Sequence, residues 1–149
     1  MLKNKEQFGH EGLDIKGITV HNTGNTASAR ENYDWIEQTR MSTGCHYFVD
    51  EKETIEVLPL DWCCYHTGKG NDWACQHTIA VEICRSQNDA ETYAAAEKRA
   101  VALIKKLMKQ YKLTSADIYF HNDFNRRAYC PHRILREMTK AEWKARNKL

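Results

Sequence analysis

Residues 78–84 have the sequence Thr-Ile-Ala-Val-Glu-Ile-Cys, an apolar run that one acidic residue, Glu82, interrupts. A short apolar run rich in β-branched residues is typical of a buried strand. Residues 17–21 (Gly-Ile-Thr-Val-His) and 118–121 (Ile-Tyr-Phe-His) show the same character and predict two further strands. Residues 45–50 and 54–58 flank a charged turn and predict a hairpin.

Helical patterns lie between the predicted strands. Ser28 and Glu31 have the spacing of a capping box, which predicts a helix from there to about Arg40. Residues 90–111 carry apolar side chains at helical spacing, and Thr139 with Glu142 begins a C-terminal helix. The candidates for the inward face of the first helix are Tyr33, Trp35 and Ile36.

The alternation of strands and helices predicts an α/β fold with a central mixed β-sheet flanked by helices. We interpret residues 62–74, which are aromatic and contain glycine, as a loop. A length of 149 residues, with 42% hydrophobic and 28% charged residues, indicates one globular domain over residues 1–149. No linker marks a second domain.

Composition also narrows the class of partner. The formal net charge is +2, so we expect no nucleic-acid partner, and no apolar run is long enough for membrane insertion. Residues 134–149 are more basic, which is typical either of a solvated helix face or of a surface that attracts an anionic polymer. Residues 1–13 are charged and predict no signal peptide, so we expect synthesis in the cytoplasm. We separately expect a monomeric protein.

The cysteine content suggests structural thiols. An even count permits a disulfide framework, but the expected cytoplasmic synthesis favours reduced thiols, and two of the cysteines are adjacent. We expect most of them to be small core residues. The six cysteines are Cys45, Cys63, Cys64, Cys75, Cys84 and Cys130.

One set of residues has the chemistry of a metal site. His21 and His121 each stand where a predicted strand ends, and Cys130 follows His121 by nine positions. Two imidazoles and a thiolate are ligands that Zn2+ prefers, and three protein ligands leave the fourth position open for water. This pattern predicts a catalytic zinc site.

Five segments together resemble the type-2 zinc N-acetylmuramoyl-L-alanine amidase family, which includes phage endolysins and bacterial autolysins and is related to peptidoglycan recognition proteins. Each segment alone is weak, but the five occur in the family's order and span most of residues 15–136. The resemblance implies an α/β fold with zinc held at the edge of the sheet. It also implies peptidoglycan as substrate and action on the cell wall after release from the cytoplasm. The segments are residues 18–25, 45–50, 65–70, 79–84 and 130–135.

The resemblance also implies a mechanism. Zinc would activate a water that attacks the amide bond between N-acetylmuramic acid and L-alanine, with Glu82 as the general base. The alternative for Glu82 is a salt bridge or a place on an edge strand. His46 and His66 match family histidines near the substrate groove, although structural hydrogen bonding is an equal alternative. His132 is a candidate for contact with the metal ligands.

The sequence departs from the family at two positions. Some members place a tyrosine where this chain has Cys45, and many place a lysine two residues before the last metal ligand, where this chain has Ala128. The resemblance implies that a cation stabilises the oxyanion. Arg127, or Arg126, is therefore the candidate replacement, with a solvent-exposed arginine as the alternative.

Three other functions remain open at this stage. A peptidoglycan-binding module without activity would commonly lack the cysteine ligand, whereas Cys130 is present. A cysteine hydrolase would use Cys130 or Cys45 as the nucleophile and would leave His21 and Glu82 without a role. An inhibitory contact with a cytosolic partner, as some short phage lysozymes make, has no specific support in the sequence.

Overall fold

A computed structural model describes residues 1–39 and 41–149. Its main feature is a five-stranded sheet in the order β4-β3-β6-β2-β7. Strands β3, β6, β2 and β7 are parallel, and β4 is antiparallel to β3, so the predicted mixed sheet is confirmed. The strands of this sheet are β2 (Gly17–Asn22), β3 (Tyr47–Val49), β4 (Thr54–Glu56), β6 (Thr78–Ile83) and β7 (Ile118–Phe120).

A smaller sheet pairs two short strands, β1 (Gly9–Glu11) and β5 (Trp62–Cys64), in antiparallel fashion. Helices form the connections between the parallel strands, as crossovers require. The helices are α1 (Ala29–Gln38), α2 (Trp73–His77), α3 (Ala90–Tyr111), α4 (His121–Phe124), α5 (His132–Glu137) and α6 (Lys140–Asn147), and 3-10 turns cover Lys5–Gln7 and Ser115–Asp117.

The two faces of the large sheet differ in what covers them. On one face, Val20 and Val81 join a core with the buried side of α3, which includes Ala100 and Ile104. The other face carries Phe48 and Ala80 against α1 and the small sheet. Because side chains alternate along a strand, His21 and Glu82 belong to this second face.

The C-terminal helix is attached to the core through α3. The buried indole N–H of Trp143 donates to the Glu97 carboxylate, which also accepts two hydrogen bonds from Arg146 at 2.7 and 2.8 Å. In residues 1–39 and 41–149, no helix combines the length and apolarity needed to cross a bilayer.

Several local predictions are confirmed. Both predicted capping boxes form, at Ser28 with Glu31 and at Thr139 with Glu142. The long helix covers residues 90–111 as predicted, and the hairpin forms with shorter strands. All six cysteines are free thiols, and five of them are buried.

The predicted end of α1, at about Arg40, falls outside the described residues, and the described helix ends at Gln38. Two other local predictions are wrong. Trp35 does not face inward, since its side chain is 56% exposed. The predicted loop at residues 62–74 contains β5 and the start of α2, because a three-residue strand is too short for a periodic pattern and its stability comes from pairing with β1.

Candidate metal centre and active site

The parallel register of three neighbouring strands brings the chemical groups together. His21 on β2 is the register partner of Glu82 on β6, and Val20 is the partner of Phe120 on β7, directly before His121. Carboxyl ends of parallel strands lie at one edge of a sheet, where ligand sites commonly form. This edge therefore holds two histidines and a carboxylate on adjacent strands.

His21, His121 and Cys130 form a compact ligand cluster. One ligand atom from each lies within 4.8 Å of the others, and Cys130 Sγ is 3.7 Å from His21 Nδ1. Tetrahedral bonds of about 2.05 Å to nitrogen and about 2.3 Å to sulfur would separate two such atoms by roughly 3.6 Å. The donor set and its spacing therefore fit a metal ion, and three ligands leave one position open.

A chain of hydrogen bonds sets the tautomer of His21. His66 Nε2 lies 3.3 Å from the Ala74 carbonyl oxygen, which can only accept, so this nitrogen carries the proton. Burial lowers the pKa of His66 to about 3, so the ring is neutral and its Nδ1 accepts from His21 Nε2 at 3.0 Å. The free lone pair of His21 is consequently on Nδ1, which faces Cys130.

His121 is oriented in the same way by a backbone group. Its Nε2 donates to the Thr67 carbonyl oxygen at 3.0 Å, which leaves Nδ1 as the ligand atom. Thr67 is itself fixed, because its hydroxyl donates to the Asp72 carboxylate at 2.8 Å. Hydrogen bonds of this kind orient the ligands of metal sites and raise their basicity.

The electrostatics of the cluster favour a cation. Burial, with Glu82 as a lesser cause, raises the pKa of Cys130 to about 12. Burial and the neighbouring His66 and His121 hold the pKa of His21 well below its usual value. A bound metal ion would supply the positive charge that stabilises the thiolate, and it needs the neutral imidazoles that are already present.

Glu82 stands beside the cluster with an oxygen that no group satisfies. Oε1 is 3.9 Å from His21 Nδ1, whereas Oε2 is buried and has no hydrogen-bond partner among the described residues. Burial raises the pKa of Glu82 to about 8. No Lys or Arg salt bridge to Glu82 occurs in residues 1–39 and 41–149, so the salt-bridge alternative gains no support.

An open groove of about 550 Å³ leads to Glu82. One of its walls comes from α1, where the exposed Trp35 lies, and another comes from residues 41–45. Such a groove, apolar with a few polar groups, is the usual form of a binding site. Its lining residues are Thr23, Asn25, Ala27, Glu31, Asn32, Trp35, Ile36, Met41, Thr43, Gly44, Cys45, Phe48 and Glu82.

The structure does not support His46 as a groove residue. Its side chain is 0% exposed, its Nδ1 accepts from the Ala80 N–H at 2.9 Å, and its Nε2 donates to the Trp62 carbonyl oxygen at 2.8 Å. A ring with both nitrogens bonded to backbone cannot reach a substrate. We therefore correct the predicted groove lining to structural hydrogen bonding.

His66 needs the same correction. It is buried, both of its nitrogens are engaged inside the protein, and it contacts the candidate metal ligand His21. Its role in this structure is to position a ligand. His132, the other candidate for such contact, lies on α5 with a buried Nε2 that has no hydrogen-bond partner among the described residues.

The two candidate cations lie away from the Glu82 groove. Arg126 and Arg127 are exposed and line a separate cleft of about 570 Å³, with Gly68, Lys69, Asp123, Phe124 and Asn125. The described structure shows no contact of Arg127 with Glu82 or with Cys130. The oxyanion role of Arg127 therefore remains a prediction, and the structure does not favour it.

Two asparagines that the sequence did not indicate, Asn22 and Asn125, hold the segments of the site together. Asn22 Oδ1 accepts from the Arg133 N–H at 3.0 Å, and its amide donates to the Tyr93 hydroxyl, so it attaches the segment after Cys130 to β2 and α3. Asn125 donates to the Thr67 carbonyl oxygen at 3.0 Å. The available signals were weak: Asn22 directly follows His21, and Asn125 lies between His121 and Cys130.

Comparison with known proteins agrees with this geometry. Residues 11–133 match the N-acetylmuramoyl-L-alanine amidase family Amidase_2. Since the match covers most of the chain, the chain belongs to this family.

Individual relatives support the assignment. The chain is 39% identical over 140 residues to the N-acetylmuramoyl-L-alanine amidase CwlA of Bacillus subtilis, a match that covers 91% of this chain and 51% of CwlA. The structure of PlyL superposes with a TM-score of 0.87 at 30% identity, covering 97% of this chain and 88% of PlyL. The PlyG catalytic domain superposes with a TM-score of 0.87 at 30% identity, covering 97% of this chain and 87% of the PlyG domain.

The match to longer proteins is partial. The chain spans about half of CwlA, and it spans 39% of XlyB, a second Bacillus subtilis amidase to which it is 39% identical over 126 residues.

Proposed function

We propose that this chain hydrolyses the amide bond between N-acetylmuramic acid and L-alanine in peptidoglycan, with zinc held by His21, His121 and Cys130. The observation that carries the proposal is the position of Glu82. Its unsatisfied carboxylate lies beside the ligand cluster and at the end of an open groove. A carboxylate so placed is suited to proton transfer at a substrate in that groove.

Zinc, when bound, makes a water more acidic and polarises the carbonyl of the scissile amide. The chain's own residues do the rest of the chemistry. Glu82 accepts the proton of the attacking water and returns it to the nitrogen of the departing L-alanine. His66 and Thr67 hold the two histidine ligands in the required tautomers throughout.

The structure argues against the cysteine-hydrolase alternative. Burial raises the pKa of Cys130 to about 12 and that of Cys45 well above its usual value, so neither is a thiolate without a metal. A binding module without activity is distinguished only by experiment. We further propose that the protein is a monomer that acts on the cell wall after release from the cytoplasm.

The test combines metal analysis with product analysis. We expect one zinc per chain, and digestion of purified peptidoglycan should expose new L-alanine amino groups without new reducing sugar ends. Reducing ends would indicate a glycosidase and would refute the amide assignment. Zinc-loaded protein that binds peptidoglycan but releases nothing would identify a binding module.

Glu82→Gln tests the general base. We expect the variant to keep its fold and its zinc and to lose activity by about 100-fold or more. Glu91→Gln, an exposed change on α3, is the matched control and should behave as the wild type. Near-normal turnover of Glu82→Gln would remove this residue from the mechanism.

A further inference from the structure

A second cleft lies near the candidate ligand His121 and shares no lining residue with the Glu82 groove. Two loops form it: Gly68 and Lys69 on one side, and residues 123–127 on the other. Asn125 joins the two loops, because its side-chain amide donates to the Thr67 carbonyl oxygen at 3.0 Å. The same carbonyl accepts from His121 at 3.0 Å, so the wall of the cleft also orients a metal ligand.

Local hydrogen bonds and one glycine turn fix the backbone of this cleft. Gly68 has a φ of +73°, which an L side chain rarely adopts, and this turn brings the exposed Lys69 to the cleft. On the opposite loop, the Asn125 side-chain oxygen accepts from the Arg127 N–H at 3.3 Å, and its carbonyl accepts from the Ala128 N–H at 2.9 Å. The cationic side chains therefore extend from a fixed base.

The cleft carries an excess of positive charge. Lys69, Arg126 and Arg127 line it, and within the described chain no carboxylate lies within 4.0 Å of their charged atoms. Asp123 is the single acidic lining residue, and it is already paired with Lys140 at 2.6 Å and with the Phe120 N–H at 2.7 Å. Three cations are thus left without a partner at the edge of the active site.

We propose that this cleft is a subsite for a carboxylate on the peptide part of the substrate, with Arg126 and Arg127 as its main ligands. The proposal rests on the proposed amidase function. A peptide attached to the scissile amide extends away from the ligand cluster, and one residue spans about 3.5 Å. A carboxylate on the residue after L-alanine would complement the cations beside His121, and guanidinium groups bind carboxylates in a bidentate manner.

This assignment gives Arg127 a different role from oxyanion stabilisation. An oxyanion contact forms mainly in the transition state and changes kcat, whereas a contact with a remote carboxylate is the same in ground and transition states and changes KM. The two roles are therefore separable by kinetics. The arginines are exposed, so their replacement should leave the fold intact.

The experiment uses N-acetylmuramoyl-L-alanyl-glutamate and the same compound with both carboxylates amidated. For the wild type we expect a KM about 10-fold lower for the acid than for the amide. R126Q/R127Q should raise the KM for the acid by about 10-fold, with kcat within about 2-fold and little effect on the amide. K106Q/K109Q removes two exposed charges from α3 and is the matched control.

A binding measurement makes the test independent of turnover. The product peptide L-alanyl-glutamate should bind the wild type by calorimetry about 10-fold more tightly than it binds R126Q/R127Q. If neither compound is cleaved, the amidase proposal fails, but the calorimetric measurement still shows whether the cleft binds a carboxylate.

Three results would overturn the subsite. Equal KM values for acid and amide in the wild type would show that no carboxylate is recognised. A fall in kcat of R126Q/R127Q at unchanged KM would assign an arginine to the oxyanion instead. If R126Q/R127Q lost binding to intact cell walls but kept the wild-type kcat and KM for both soluble compounds, the partner of the cleft would be a phosphate-bearing wall polymer.

Discussion

Replacing His66 by leucine should weaken zinc binding even though His66 is not a ligand. The substitution removes the acceptor that lies 3.0 Å from His21 Nε2, in a place where both rings are buried. Without that acceptor, the His21 proton is no longer held on Nε2, and the Nδ1 lone pair that faces Cys130 is no longer assured. A metal-bound imidazole is also a better hydrogen-bond donor, so the bond matters most in the loaded protein.

The size of the effect follows from the contact. Loss of a hydrogen-bond partner to a metal-ligating histidine costs about 10- to 100-fold in metal affinity. This range corresponds to about 1.4 to 2.7 kcal/mol, within the cost of a buried donor without a partner. His66→Gln should lose less, because its side-chain oxygen can still accept from His21.

The assay is competition for zinc against a chromophoric chelator at fixed pH. His77→Leu is the matched control, since it makes the same chemical change on α2, away from the ligand cluster. The His77 Nδ1 lies 3.0 Å from the Asp14 carbonyl oxygen and 3.5 Å from the Asp14 carboxylate. Affinity of His66→Leu within about 2-fold of the wild type would refute the tautomer argument. A raised KM with unchanged zinc affinity would instead restore His66 to the substrate groove.

Three further predictions follow from the structure. Zinc at about 100 times its Kd should stabilise the chelator-treated protein by about 2.7 kcal/mol, measured by denaturant unfolding with and without metal; no shift would contradict a site formed only in the folded chain. His46→Leu should lower the free energy of unfolding by about 2–4 kcal/mol with an unchanged KM, because it leaves two buried backbone groups unpaired. Burial lowers the pKa of His46 from 6.5 to about 4, so the unfolded chain takes up a proton at higher pH than the folded chain does. The free energy of unfolding should therefore be highest above pH 6.5 and fall by up to about 3 kcal/mol as the pH drops toward 4, and His46→Leu should reduce this pH dependence. Glu97→Gln should cost about 1–2 kcal/mol of stability through the Trp143 and Arg146 contacts and leave turnover unchanged, whereas lost activity would connect α6 to the site.

The main strands and the long helix could be predicted from the sequence because each has a strong local signal, and the structure brings together the three residues predicted as ligands, His21, His121 and Cys130. The apolar runs around Val20 and Val81 determine their own burial, and Ser28 and Thr139 are local caps. Strands β1 and β5 could not be found, since three residues have no period and only pairing across some 50 positions stabilises them.

The roles of individual histidines were also beyond the sequence. His21 and His46 both lie in or beside strands and look alike as residue types. What separates them is the set of partners for their two nitrogens: backbone groups occupy both nitrogens of His46, whereas His21 has Nε2 held by His66 and Nδ1 facing Cys130 Sγ at 3.7 Å. That distinction arises only when distant segments pack together.

The register between β2 and β6 is the feature on which the whole site depends. A slip of one residue would turn the side chains of one of the two strands to the opposite face, so either His21 or Glu82 would meet the α3 core, where an unpaired carboxylate is costly. Thr19 and Thr78 oppose such a slip, because their hydroxyls are bonded at 2.7 Å on the same face of the sheet. Thr78 also donates to the Ala74 carbonyl oxygen at 2.7 Å, and its hydroxyl oxygen can accept a hydrogen bond from His66 Nε2 at 3.2 Å. The pair of threonines that holds the strand register thus also favours the proton on His66 Nε2, so the tautomer of the candidate metal ligand His21 depends on the same contacts that align the sheet.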